Sequence, residues 1–263
     1  MIEEFIGYFA AVIVGVVLGL LGGGGSILSI PILVYLFHIE PAMAGAYSLF
    51  MVGVTSFAGA IPKYKQQLVH LKTGIVFGLP SIVSIFLTRS IIVPAIPDEV
   101  FQVGEFMVTK RMLLLGVFAV LMVLASIPMI RGKRDIASNN KRFRIVLVIL
   151  EGIVIGFLTG LVGAGGGFLI IPALVFLTGL HFKTAVGTSL FIISINSIAG
   201  FLGDVLHHDM NWPLLLSLTA LAIIGILIGN SYSKKISGIR LRMAFGWFTL
   251  VTGAYILIRE VFQ

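Results

Sequence analysis

Gly19-Leu-Leu-Gly-Gly-Gly-Gly-Ser-Ile-Leu-Ser-Ile-Pro31 interrupts an apolar segment near the start of the chain, and it returns as Gly160-Leu-Val-Gly-Ala-Gly-Gly-Gly-Phe-Leu-Ile-Ile-Pro172. The register that lays Gly19 on Gly160 continues without a gap, pairing Ser48-Leu-Phe with Ser189-Leu-Phe and Ser56, Ala58 and Gly59 with Ser197, Ala199 and Gly200. Repetition at a fixed register marks a duplicated structural unit. The chain therefore divides into a first repeat (1–130), a basic linker (131–144) and a second repeat (145–263).

Outward from the two motifs, the chain is apolar on a scale that excludes a soluble domain. Of 263 residues, 58% are hydrophobic and 11% charged, and the mean hydropathy is +1.11. A soluble protein carries roughly 25% charged residues. The apolar residues gather in long runs, among them Leu71–Ile92, Met112–Ile130, Trp212–Gly229 and Met243–Ile258. Runs of about 20 residues cross a bilayer core of about 30 Å, so the expected fold is an all-α polytopic membrane protein with about eight hydrophobic spans. The acidic start and the absence of a small-residue cleavage site predict that the first apolar segment is retained. Cysteine is absent, which removes disulfides and thiol chemistry.

The net charge of +7 is an orientation signal rather than a nucleic-acid footprint. Most Lys and Arg lie in three connections, at Lys63, Lys65 and Lys72, from Arg131 to Arg144, and from Lys234 to Arg242. The intervening connections carry Asp98, Glu99, Glu105, Asp204 and Asp209. The positive-inside rule puts the basic connections in the cytoplasm and both termini outside the plasma (inner) membrane. Phe5–Leu21 reads as a helix and Ile27–Phe37 as a second piece of about 16 Å, too short to span. If the two form a re-entrant hairpin, each half crosses the membrane an odd number of times and the second repeat is inverted. Joining them into one broken span would give parallel halves and conflict with the loop charges.

Consecutive glycines cost roughly 1 kcal/mol each in a helix relative to alanine. Small-residue helix packing wants glycines one turn apart, whereas Gly22–Gly25 are adjacent. Such a break leaves backbone polar groups at membrane depth, which is tolerated around a buried site or cavity. The helix that restarts after each run presents N–H groups and a dipole that favour an anion. Gly22, Gly23, Gly24, Gly25 and Ser26, with Gly163, Gly165, Gly166 and Gly167, are thus candidate substrate-binding residues. Two broken helices from inverted repeats meeting at mid-membrane is a transporter plan.

The second motif, followed by Ala185-Val-Gly-Thr-Ser-Leu190, resembles the TauE/SafE sulfite exporter family. The first-half copy is similar but degraded, with Gly45-Ala-Tyr-Ser-Leu49 at the matching place. The resemblance covers nearly the whole chain. It implies a membrane transporter of sulfite, sulfoacetate, thiosulfate or a related small anion.

Among polar residues in the spans, Ser48, Thr55 and Ser56 match Ser189, Asn196 and Ser197, each set on one helical face. Ser48, Ser56, Ser189 and Asn196 are site candidates, since hydroxyls and amides bind anions without burying a full charge. The alternative is hydroxyls bonded back to their own helix. Arg89 is either a substrate-path or paired cation or one that snorkels to headgroups. Glu151 is a candidate for proton coupling, against an interfacial pairing with Arg or Lys. Asp204 reads as the end of a helix facing outside, His207, His208 and Asp209 as a surface loop, and Lys183 as an interface anchor.

An enzyme would need a nucleophile with a base, paired carboxylates or metal ligands inside the spans. Glu151 and Asp204 fall on opposite faces, so no catalytic residue, metal ligand or cofactor is assigned. An anion channel is the other alternative, although inverted duplication with broken helices suits alternating access better than an axial pore. The expectation is a secondary transporter whose partners are a small anionic substrate and the lipid bilayer. No nucleic acid is expected, and a homo-oligomer is compatible with the pattern.

Overall fold

The computed structural model describes residues 2–97, 99–103, 106–132, 141–162, 166–176, 178–205 and 210–261. Helix α1 (Ile2–Leu21) leads through a tight 3-10 turn (Gly22–Gly25) into α2 (Ser26–Tyr35). Then follow α3 (Pro41–Lys65) and α4 (Leu71–Leu87); α4 continues through a π-helical turn (Thr88–Ile92) into a short α5 (Val93–Ala95). A β-hairpin (β1 Glu99–Val103, β2 Phe106–Thr109) precedes α6 (Lys110–Arg131). The second half comprises α7 (Lys141–Val162), α8 (Gly167–Phe176), α9 (Phe182–Val205), α10 (Trp212–Ser233) and α11 (Gly238–Val261).

Seven helices among the described residues are long and apolar enough to cross a membrane, and Ile6–Leu21, Ser26–Tyr35 and Gly167–Phe176 are shorter apolar helices. This is an all-α polytopic membrane protein. Phe9, Leu79, Val83, Leu124, Leu216 and Val251 stand exposed on the outer surface of the bundle. Such a surface suits lipid, where no hydrophobic drive holds helices together and close packing must do so.

The first two helices form a hairpin. Tyr8 meets Phe37 edge-on at 5.8 Å between ring centroids, while a Cβ on Gly25 would press on Leu18 and the Val14 carbonyl. Both ends of the hairpin therefore lie on one side, as the short second piece predicts. The 10-residue α2 is about 15 Å long, half a bilayer core.

The halves interlock. Helix α1 packs along α10, α7 along α4, α3 on α10, α9 on α4, α3 on α9, and α6 on α11. In the repeat register α1 matches α7, α3 matches α9 and α4 matches α10, so each contact has its counterpart. Small residues set the spacing. Added Cβ atoms would come within 2.0 Å of the Ala222 carbonyl at Gly15 and 2.2 Å of the Val16 carbonyl at Gly229. At the matching interface Gly156 faces Ser81 and Ser84, and Gly160 faces Thr88. Glycines one turn apart thus do bring helices together, at Gly15 and Gly19, Gly225 and Gly229, and Gly152, Gly156 and Gly160, whereas the consecutive runs do something else.

Direction can be read from the contacts. Along α3 and α9, Lys63 lies beside Gly187, Gly53 beside Ser197, and Leu49 beside Gly200. One number rises as the other falls, so these matching helices run antiparallel. The hairpin 99–109 is a departure from expectation, which placed a plain acidic connection there. It pairs Phe101 with Val108 and Val103 with Phe106, has a register irregularity after Glu99, and lengthens the first half relative to the second. Of the linker 131–144, positions 133–140 lie outside the described residues.

Candidate functional site

The two glycine motifs touch. A Cβ built on Gly23 would lie 2.0 Å from the Gly167 Cα, and one on Gly167 would lie 2.1 Å from the Gly23 Cα. Only hydrogen is small enough at either place. The chain reaches this point through positive φ at Gly22 (+66°) and Gly166 (+67°), a conformation that glycine adopts without penalty. The first run is one tight 3-10 turn rather than an open loop. After the second, the Leu169 and Ile170 N–H groups donate to the Gly166 carbonyl at 2.9 and 3.0 Å. Gly163 and Gly165 lie outside the described residues.

Serines line the contact. Ser26 Oγ donates to the Gly23 carbonyl at 2.6 Å, which holds the turn closed. Ser29 and Ser48 hydroxyls share a hydrogen bond of 2.5 Å between α2 and α3. On the opposite half Ser189 donates to the Val186 carbonyl at 2.8 Å, and a Cβ on Gly22 would come within 3.1 Å of its Oγ. Ser189 thus back-bonds to its own helix with its Oγ beside the first motif. All four serines are fully buried.

A second set of buried polar residues lies on α3 and α9, with Ser197 packed beside Gly53 where the two helices meet. Thr55, Ser56, Asn196 and Ser197 are buried, and the Thr55, Ser56 and Ser197 hydroxyls and Asn196 Oδ1 have no hydrogen-bond partner in the protein. Asn196 Nδ2 donates to Ser81 Oγ at 2.5 Å. Stranding a buried polar group costs about 1–3 kcal/mol, so buried groups left unmatched ask for an explanation. Here they come in register-matched pairs, Thr55 with Asn196 and Ser56 with Ser197. Three can donate a hydrogen bond, which suits an oxyanion.

Arg89 is fully buried, on the π-helical turn. Its Nε donates to both oxygens of Asp204 at 2.8 Å, and Nη2 adds a short bond to the same carboxylate. Nη2 also reaches the Ala42 carbonyl at 3.2 Å, and Nη1 the Gly160 carbonyl at 3.4 Å. One side chain so ties the α4 rod to α3, α7 and α9. Asp204 stands one residue from the end of α9, the helix end expected there, but it is buried rather than part of an open acidic connection, with Gly203 packed on the Arg89 side chain. A lone cation and a lone anion in separate spans was the available signal. His207, His208 and Asp209 lie outside the described residues.

Glu151 stands on α7, about 16 Å along the helix from Val162 and so away from the glycine contact. Its Oε2 is buried without a partner. Several buried polar residues are not singled out by the sequence, and three of them make contacts between helices. Ser29 faces Ser48; Asn230 Nδ2 donates to the Gly59 carbonyl at 3.1 Å; and Lys63 Nζ donates to Ser233 Oγ at 2.7 Å. Ser29 is hidden because its register partner is Ile170, and Lys63 because it sits at the end of a basic connection. No group of three or more metal-ligating side chains occurs among the described residues.

Comparison with known proteins agrees with this architecture. The family profile described as "Sulfite exporter TauE/SafE" matches residues 8–256. A "Probable membrane transporter protein" of Xylella fastidiosa (strain Temecula1) is 29% identical over 255 residues, covering 94% of this chain and 92% of that protein. The "Probable membrane transporter protein YunE" of Bacillus subtilis is 26% identical over 268 residues, covering 95% and 96%. A Haemophilus influenzae protein of the same description as the first is 26% identical over 261 residues, covering 93% and 94%. No solved structure matches the chain.

Proposed function

The chain belongs to the sulfite exporter TauE/SafE family of membrane transporters, and from that premise we propose that it is a secondary carrier of a small sulfur oxyanion or organosulfonate, working by alternating access in the plasma membrane. The observation that carries the proposal is the set of register-matched, buried and unpartnered polar groups on the packed helices α3 and α9. A dehydrated oxyanion there would receive hydrogen bonds from the Thr55, Ser56 and Ser197 hydroxyls. Ser48 and Ser189, beside the glycine motifs, would extend the shell as the anion moves. Neutral donors hold an anion without the full desolvation cost of a buried charge.

The antiparallel run of α3 against α9 supports inverted repeats, and the basic connections support termini on the outside. In this scheme the two glycine hairpins approach from opposite faces and touch at Gly23 and Gly167. Rocking one half against the other would part that contact and open the crossing to one side. Arg89, held by Asp204, then acts on the anion at most through its field and through the position of Gly160. Glu151, buried without a partner, is the carboxylate we assign to proton coupling.

Proteoliposomes loaded with sulfite test the proposal. A carrier takes up labelled sulfite with saturation, faster when unlabelled sulfite waits inside. Uptake linear in concentration and indifferent to internal sulfite would favour a channel. Asn196→Ala together with Ser197→Ala should lower uptake at least tenfold while the protein still inserts, and unchanged uptake would remove the crossing as the site. Glu151→Gln should keep sulfite exchange and lose uptake driven by a pH gradient.

A further inference from the structure

Register-matched positions at the two ends of the α3–α9 pair carry different charges. At one end Asp204 of α9 holds Arg89 of the π-helical turn. The matching positions at the other end are Lys63 of α3 and Asn230 of α10. The two ends are about 30 Å apart along α3, from Ala42 to Lys63. At the second end the carboxylate's place is taken by an ammonium group, and the cation's place by an amide.

That ammonium is buried, with 3% of Lys63 exposed. Its one hydrogen bond goes to a neutral hydroxyl, Ser233 Oγ, at 2.7 Å. Beside it opens a cavity of about 220 Å³ lined by Lys63, Gln66, Leu68, Lys183, Ser233 and Lys234. Lys183 Nζ reaches only the Lys234 carbonyl, at 3.4 Å. Among the described residues the one ion pair is Arg89–Asp204, so none of these three lysines meets a carboxylate. The C-termini of α3 and α10 each bring about half a negative charge, which leaves roughly two positive charges uncovered. The wall is closely packed: Gly187 lies against the Leu68 carbonyl, and the His70 N–H donates to Thr188 Oγ1 at 2.9 Å.

We propose that this cavity is a second anion site, in which Lys63, Lys183, Lys234 and Ser233 bind an oxyanion of sulfate or phosphate type, free or as an anionic lipid headgroup. The three ammonium groups supply charge and Ser233 a rotatable hydroxyl; the missing carboxylate of the repeat is replaced by a ligand from solution. The site is separate from the α3–α9 crossing and stands or falls without the carrier proposal.

Purified full-length protein in low-salt buffer is titrated with sulfate while its melting temperature is followed. At about 100-fold above the dissociation constant a rise of about 5 °C or more is expected. The rise should persist in Asn196→Ala and vanish in Lys63→Gln. Because Lys63 is buried, the pair of half-buried Lys183→Gln with exposed Lys234→Gln provides a second test outside the interior. Repeating the titration in nanodiscs of phosphatidylcholine, then with phosphatidylglycerol added, separates the sources. A sulfate response equal in both identifies a free oxyanion. A response absorbed by phosphatidylglycerol, which itself stabilises the wild type and not the variants, identifies a headgroup. A full sulfate response in the Lys183 and Lys234 double variant overturns the site, as does the absence of any response to sulfate and to phosphatidylglycerol in the wild type.

Discussion

The Arg89 end and the Lys63 end of the bundle are the same pair of positions solved twice. At the first, a cation and an anion are buried together and bonded at 2.8 Å. At the second, a cation is buried against a hydroxyl and an amide against a backbone carbonyl. Packing is shared, since Gly200 meets Ile85 at one end and Gly59 meets Ile226 at the other. Duplication has therefore preserved shape while charge diverged. The two ends should answer mutation very differently: one holds the helices together through charge, and the other holds charge in reserve.

Removing Asp204 is the harshest test of that difference. Asp204→Ala leaves Arg89 buried and uncompensated and should cost about 3–5 kcal/mol in a denaturation series in mixed micelles. Replacing both partners, Arg89→Met with Asp204→Leu, should recover most of the loss, because two apolar groups need no pairing. If the single and double variants melt together, the pair contributes through volume and not charge. At the other end Lys63→Met should change stability by only about 1 kcal/mol or less. Ser233 still donates to the Asn230 carbonyl at 2.9 Å, so nothing is stranded. A loss as large as that of Asp204→Ala would erase the contrast. Smallest is Asn230→Leu, of similar volume, which gives up one interhelical hydrogen bond worth about 0.6 kcal/mol. A loss several times larger would mean that its Oδ1, unpartnered in this structure, is bonded in the membrane.

How much of this was legible beforehand follows from what each feature depends on. The spans, the duplication and the hairpin of α1 and α2 were readable because run length and register are properties of the chain itself. The register that pairs Thr55 with Asn196 and Ser56 with Ser197 is likewise a property of the chain. The Arg89–Asp204 pair was not, because it joins spans through a π-helical turn that no periodicity announces. Lys63 was hidden by its neighbours: it shares a basic connection with Lys65 and Lys72, yet only its side chain turns inward. The β-hairpin of β1 and β2 is masked in the sequence by its acidic neighbours, although Val100, Phe101, Val103, Phe106 and Val108 carry a strand composition.

The contact between Gly23 and Gly167 has a mechanical consequence. Two bare backbones meet there with no side-chain rotamers to freeze, and no hydrogen bond joins the two glycines. Pulling them apart forfeits only dispersion, about 0.1–0.2 kcal/mol for each pair of heavy atoms. Such a joint behaves as a smooth bearing instead of a latch: stiff against compression, cheap to separate, and able to close again without searching for a fit.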